Sequence, residues 1–502
     1  MNHLLHHSRA IVLCTALLAL GTVSCQKDRL NPQPETLLSD QVVFSSPARI
    51  TAQVNNLYSY VKTGGFYGGR FQIYNDVRAN DFINRTSNGV TALGVWNHTL
   101  TESSQNDVIN TWGFAYAAIN QVNVFLDGMD ANAAKFVAPT FPASFAATAS
   151  NYRGEARLLR ALSYYALLQL YARPYADGNG SKPGLPLRLK GATDDTGNNL
   201  ARSTVAEVYT QILADLDFAE QNLPLTYPAG ASPNSNITRA HRNTAIALKS
   251  RVYLSMGRYA DVITEANKLV PATAPFVAAS GVPHALSASI ATVFAPPQET
   301  VESILSFPFT AQDAPGTQNQ LAYYYLPTSQ GGNGEYGLNT SAGGILTDPG
   351  FAATDARRTA LITTSGTETY LKKYPTGTPF TDKAPVIRYA EVLLNLAEAR
   401  VRTTNAVDPQ ALALLNAVRG RSNPAGVYTA ASFASASAMT DAILLERRIE
   451  FLGEGIRNFD IMRLNVTIPG KGSVPAVPNT SINYVWPIPS SELAVNTLMT
   501  RN

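Results

Sequence analysis

A mostly α-helical protein is what this sequence predicts, on three observations. Apolar residues recur at helical spacing in segments spread from Ile50 to Phe459. The stretch from Asn243 to Val270 reads as two helices joined at Gly257. Short apolar runs bounded by turn residues are concentrated between residues 271 and 385. Helix pairs with a loop-rich C-terminal portion containing short strands are therefore expected.

In chain order, Ile50, Val54, Leu57 and Val61 recur at 4-3-4 spacing, the stripe of an amphipathic helix that Gly64-Gly65 closes. From about Phe66 to Ser104 no helical period is sustained, which predicts a long connection rich in polar and aromatic side chains. Ile109, Trp112, Tyr116, Ile119 and Leu126 begin the next helix, and Tyr152 to Tyr171 another. Thr204 and Glu207 form a capping box, in which the hydroxyl satisfies one orphan N–H and the carboxylate reaches back to another. Val205, Val208, Ile212, Leu216 and Ala219 follow it and stop before Pro224.

Ala245, Leu248 and Val252, then Tyr259, Ile263, Ala266 and Val270, give the two stripes around Gly257, an arrangement similar to a tetratricopeptide unit. Ile304 to Phe307 reads as a strand. Val386, Ala390, Leu393, Ala397 and Val401 predict one late helix, and Leu445, Ile449, Leu452, Ile456 and Phe459 another, kinked around Gly453 and Gly455.

The N-terminus reads differently. Residues 1–24 carry Arg9, an apolar run from Ile11 to Leu20 and then small residues, the shape of a secretory signal too short to span a bilayer. Small residues ending on Cys25 resemble a bacterial lipobox, with Thr22 in place of the usual Leu; a cleaved signal with a chance cysteine is the plainer alternative. Gln26-Lys27-Asp28 is similar to the short signal that sends Bacteroidetes lipoproteins to the cell surface.

Composition narrows the chemistry. The formal net charge is +3, or +2 without Arg9, and no basic stripe is visible, so nucleic acid is not an expected partner. Cys14 lies in the signal and Cys25 is the lipidation candidate, which leaves no disulfide, thiol nucleophile or Cys-based metal site. His98, His241 and His284 are far apart, without metal-ligand spacing. Neither a metal nor a cofactor is expected.

Glu446, Glu450 and Glu454 fall at i, i+4 and i+8 on one predicted helix face. A glycosidase needs a carboxylate pair with one member raised in pKa. Arg447, Arg448 and Arg457 nearby favour ionised carboxylates, so a structural ion-pair network is the preferred reading, as it is for Glu391 and Glu398.

The binding candidates lie in two loop regions that combine rings with hydrogen-bonding side chains, as sugar recognition requires. Tyr74, Asp76, Arg78, Asn80, Asp81, Asn84, Arg85 and Trp96 make the first. Gln318 to Asn339 make the second, with Gln320, Tyr323, Tyr324, Tyr325 and Tyr336 beside Gly331-Gly332-Asn333-Gly334. The candidate ligand contacts are Asp76, Arg78, Asp81, Trp96, Tyr323, Tyr324, Tyr325 and Tyr336. The alternative is that Trp96 and the tyrosine run belong to the core, with Tyr323 to Tyr325 as a strand.

Seven blocks in consistent order, besides Cys25 and the Leu30–Pro34 tether, resemble the SusD/RagB family of Bacteroidetes outer-membrane lipoproteins. They are Gly154–Tyr171, Ser203–Pro224, Thr238–Ile263, Arg388–Ala399, Leu415–Ser422, Glu446–Leu464 and Trp486–Asn496. The resemblance implies a helical fold on tetratricopeptide-like pairs (a SusD-like α-α superhelix). It divides the chain into a signal (1–24), a lipid-anchored tether (25–40), an N-terminal helical region (41–275) and a loop-rich C-terminal region with closing helices (276–502). It also implies a surface lipoprotein anchored in the outer membrane and facing the cell exterior. Such a protein captures glycan, or in some members peptide, for a SusC-like TonB-dependent transporter. An enzyme is not expected; a glycoside hydrolase with distant acids and a purely structural scaffold are the other classes.

Overall fold

The computed structural model describes residues 40–86 and 88–502; the signal, Cys25 and most of the tether lie outside them. The first long helix, α1 (Pro47–Val61), is capped by Ser46, opens on a proline and buries Ile50, Val54, Leu57 and Val61, the predicted stripe. α2 (Arg70–Val77) lies within the stretch expected to be a connection. All eight of its residues are buried, so no polar face alternates with an apolar one and no stripe was there to find.

The helical scaffold continues through α3 (Asn110–Ala131), α4 (Phe145–Tyr171), α5 (Val205–Asn222), α6 (Arg242–Ser255) and α7 (Tyr259–Ala266). Both halves of the Thr204–Glu207 capping box are present at α5. Gly257 turns α6 into α7 at φ 69°, where a side chain would be strained. A single turn, α8 (Leu321–Tyr325), stands where the tyrosine run was read as a possible strand. α9 (Tyr389–Thr404), α10 (Pro409–Ser422), α11 (Ala436–Glu450) and α12 (Arg457–Arg463) follow, with further short helical turns such as Leu93–Asn97 and Ala356–Leu361 elsewhere.

Each helix packs on the next: α3 on α4, α4 on α5, α5 on α6, α6 on α7. α7 then meets α9, which packs on α10 and α11, so residues on both sides of position 275 share one apolar core. These are antiparallel helix pairs laid side by side, the predicted architecture.

Two helix boundaries differ from the periodic reading. Val386 belongs to a strand, because residues 384–388 pair antiparallel with residues 303–307 before the chain turns into α9. The predicted kinked helix is two helices: α11 ends at Glu450, and Gly453 and Gly455, at φ 84° and 76°, lie in the turn that separates it from α12.

Among the described residues, six short strands form three separate two-stranded antiparallel ladders: β1 (Phe82–Asn84) with β3 (Tyr336–Leu338), β2 (Ser303–Phe307) with β6 (Ala384–Arg388), and β4 (Ile362–Ser365) with β5 (Glu368–Leu371).

Candidate ligand-binding face

The two loop regions singled out in the sequence are one body in the fold. β1 from the first pairs with β3 from the second, Asn84 opposite Tyr336 and Phe82 opposite Leu338. Arg85 N–H donates to the Glu335 carbonyl at 2.7 Å, and the Thr91 and Tyr324 hydroxyls meet at 2.6 Å. Asn339 closes the far end by donating to the Asn80 carbonyl at 2.8 Å.

That union buries most of the candidate ligand contacts, and here the sequence reading is corrected. Asp76 accepts from the Tyr325 hydroxyl at 2.8 Å and from Gly455 N–H at 2.9 Å, deep enough that burial pushes its carboxyl up to about 8. Arg78 is 1% exposed and donates to Asn458 Oδ1 at 3.2 Å and to the Tyr484 carbonyl at 2.7 Å. Asp81 is clasped by Arg448 and accepts from Ile345 N–H at 3.0 Å. Trp96 spends its indole N–H on the Phe82 carbonyl at 3.0 Å. Tyr324, Tyr325 and Tyr336 are fully buried, with Tyr325 stacked 6.2 Å from Tyr374 and tilted 4.9 Å from Phe82. A ring sheathed by protein has no face left for a sugar. The core alternative describes these residues.

Tyr323 differs. The helical turn of α8 sends Tyr324 and Tyr325 inward and leaves Tyr323 half-buried at the surface. Its ring stands edge-on to Phe380, 6.2 Å away. Phe380 is also half-buried and holds φ 60°, an unusual conformation for a bulky residue. Beside Tyr323, Asn88 and Asn333 both donate to Glu335 Oε1, at 2.6 and 2.9 Å, and Arg85, whose N–H donates to the Glu335 carbonyl, pairs with Glu368 at 2.5 Å. Two adjoining rings beside the partly exposed amides of Asn88 and Asn333 are side chains that can grip a sugar's C–H face and hydroxyls, while Glu335 is buried and holds those amides in place. Phe380 went unnoticed in the sequence because it stands alone in a Pro- and Thr-rich loop with no motif around it.

The carboxylate row is structural, as expected, but its partners are not the neighbouring arginines. Glu446 and Glu450 meet Arg357 at 2.5 and 3.0 Å, Glu446 also meets Arg419 at 2.9 Å, and Glu450 meets Arg421 at 2.5 Å. Glu454 lies past the end of α11 and binds Arg388 at 2.7 Å and Lys373 at 2.8 Å. Arg447 and Arg448 are committed elsewhere, to Asp460 and Asp81. Glu391 pairs with Arg251 at 2.6 Å, and Glu398 with Arg463 at 2.6 Å.

His241 and His284, distant in sequence, stack with centroids 5.2 Å apart. Burial lowers them to about 3 and about 4 and keeps both rings neutral at ordinary pH. Among the described residues, no three His, Cys, Asp or Glu side chains converge as metal ligands would.

Residues 30–254 match a SusD-like family model described as starch-binding associating with outer membrane, and residues 363–502 match that of the SusD family. A SusD superfamily protein from Bacteroides fragilis is 31% identical and superposes with TM-score 0.79, over 91% of this chain and 100% of its own. The chain belongs to the SusD/RagB family. SusD-like protein P2 of Formosa agariphila is 24% identical over 97% of both chains. A laminarin-binding SusD-like protein shares the SusD fold at TM-score 0.67 and 19% identity, covering 91% of this chain and 99% of its own. SusD-family proteins are binding proteins associated with the outer membrane. No helix among the described residues is long and apolar enough to cross a membrane.

Proposed function

We propose that this SusD-family protein is a cell-surface lipoprotein, anchored in the outer membrane through acylated Cys25. It captures oligo- or polysaccharide and delivers it to a SusC-like TonB-dependent transporter. The observation that carries the binding reading is the half-exposed Tyr323–Phe380 pair, set beside hydrogen-bonding side chains on a rigid helical scaffold. The starch-binding description of the matching family and the laminarin-binding neighbour support a glycan over a peptide as the ligand.

Calorimetric titration of the mature protein against a polysaccharide panel tests this. One glycan is expected to bind, and Tyr323→Ala or Phe380→Ala to weaken it about tenfold each, the equivalent of about 1.4 kcal/mol. Unchanged affinity in both variants would remove the face from the site, release of new reducing ends would make the protein a hydrolase, and binding confined to peptides would replace the glycan.

The anchor has its own test. Cys25→Ser is expected to abolish palmitate labelling and release the protein from the outer-membrane fraction, because a stable anchor needs more than one acyl chain. A Cys25→Ser protein that still labels and still sediments with the membrane would refute it.

A further inference from the structure

Buried Arg78 reaches a cleft of about 290 Å³, lined also by His98, Thr101, Asn483 and Trp486. A second cleft of about 510 Å³ lies alongside it, with Arg173, Lys182, Arg202 and Ser481 in its walls. Ile482, Val485, Arg501 and Asn502 border both, so the two are one groove divided by a ridge. Ile482 tops that ridge and is 73% exposed.

The groove's charge is lopsided. Its two side-chain carboxylates are already engaged, Glu102 by Arg501 at 2.5 Å and Asp177 by Arg173 at 2.6 Å. Arg78, Lys182 and Arg202 remain, and none of them meets a carboxylate among the described residues. Arg202, half-buried, donates to the carbonyls of Gly184 at 2.8 Å, Pro183 at 3.0 Å and Thr500 at 3.2 Å. Two other buried guanidinium groups, by contrast, are matched by carboxylates: Arg160 by Asp215 and Arg251 by Glu391. A guanidinium taken out of water and given only carbonyl dipoles stays under-compensated, and an incoming anion relieves it. Burial lowers Arg78 and Arg202 to about 10, the opposite of the upward shift that Glu391 helps impose on Arg251.

We infer that this double cleft is a subsite for acidic sugar units, taking a uronate carboxylate or a sulfate ester of the captured glycan between Lys182 and Arg202. Arg78 adds positive potential from the inner wall, and the sugar's C–H face lies along the Ile482 ridge. Thr101, Ser481 and Asn483 supply hydroxyl and amide partners for the neutral part of the ring. The inference rests on the glycan reading above and adds the charge of the ligand.

Titration of the mature protein with dextran, dextran sulfate and polygalacturonate tests it. One or both acidic polymers are expected to bind more tightly than dextran. That advantage should shrink as salt rises from about 0.01 M to about 0.15 M, which shortens the screening length from about 30 Å to about 8 Å. Lys182 is exposed, so Lys182→Glu leaves the fold intact and is expected to weaken the acidic polymer about tenfold. Arg202→Gln provides the second variant. Equal binding of dextran and the acidic polymers, or indifference to both substitutions, overturns the inference and leaves the glycan reading standing if a neutral glycan binds. Binding of polyglutamate in place of the acidic glycans overturns it in favour of a peptide. Failure of every glycan, neutral or acidic, brings down both.

Discussion

Arg388→Met is expected to destabilise the fold by about 3–5 kcal/mol, the cost of stranding a buried charge by removing its partner. Arg388 is 2% exposed and binds Glu454 through two nitrogens at 2.7 and 2.8 Å, Glu450 at 3.1 Å, and Glu302. It belongs to a buried network in which five carboxylates (Asp355, Glu302, Glu446, Glu450, Glu454) face five cations (Arg357, Lys373, Arg388, Arg419, Arg421). Removing one cation leaves one carboxylate in excess, with no water to solvate it. The check is a urea midpoint at neutral pH: a large fall at unchanged slope is expected, and a loss under about 1 kcal/mol would show that the network does not hold these elements together.

This network, together with Asp460 held by Arg447 and Arg463, sets the acid side of stability. Burial pushes Glu450, Glu454 and Asp460 upward, but the surrounding arginines outweigh it and hold all three below the usual carboxylate range, Asp460 at about 2. A carboxylate depressed in the fold contributes stability above its unfolded value and loses it as pH falls toward the folded one. Each group therefore gives up as much as about 1.4 kcal/mol per pH unit, Glu450 and Glu454 below about pH 4.5 and Asp460 below about pH 3.9. Asp76, raised in the fold, works in the opposite sense at higher pH and drops out once both states are protonated. A urea midpoint that stayed level from about pH 4.5 to about pH 2.5 would contradict ionised carboxylates in the network.

Tyr325→Ala is the second large effect, about 3–5 kcal/mol as a large-to-small core truncation. The ring fills space between Phe82 and Tyr374, and its hydroxyl is one of two donors to Asp76. Trp96→Ala is expected to cost a similar amount, whereas Tyr323→Ala, two positions before Tyr325, should stay within about 1 kcal/mol because its ring is partly in solvent. Scanning calorimetry separates these. Equal melting of the Tyr323 and Tyr325 variants would mean that α8 does not divide its tyrosines between surface and core.

The parts of the fold legible in sequence are those whose signal is local. The α1 stripe, the Thr204–Glu207 cap on α5 and the Gly257 turn between α6 and α7 each depend on residues within one or two helical turns. α2 was hidden because a helix buried on every side carries no periodic contrast. The start of α9 was read too early because Val386 continues the apolar spacing into a strand, and spacing alone does not show where a ladder ends and a helix begins. Of the ligand-binding face proposed above, the sequence named the two loop regions and Tyr323 as candidates but not Phe380. It also had no means of telling a solvent-facing ring from a core ring within Tyr323–Tyr325.

By itself, then, the sequence determined the helical class, most helix positions, the cysteine inventory and the ordered blocks that mark a SusD/RagB protein. Tertiary packing decided which of those residues are available. It joined β1 to β3 and placed Tyr325 against Asp76, 249 positions away. It gave Glu446 and Glu450 to Arg357, 89 and 93 positions away, in place of their neighbours Arg447 and Arg448. Helical periodicity and capping are set by atoms a few residues apart along the chain. Burial and ion pairing are set by whichever distant segments the packed helices bring into contact, and a linear pattern carries no record of that distance.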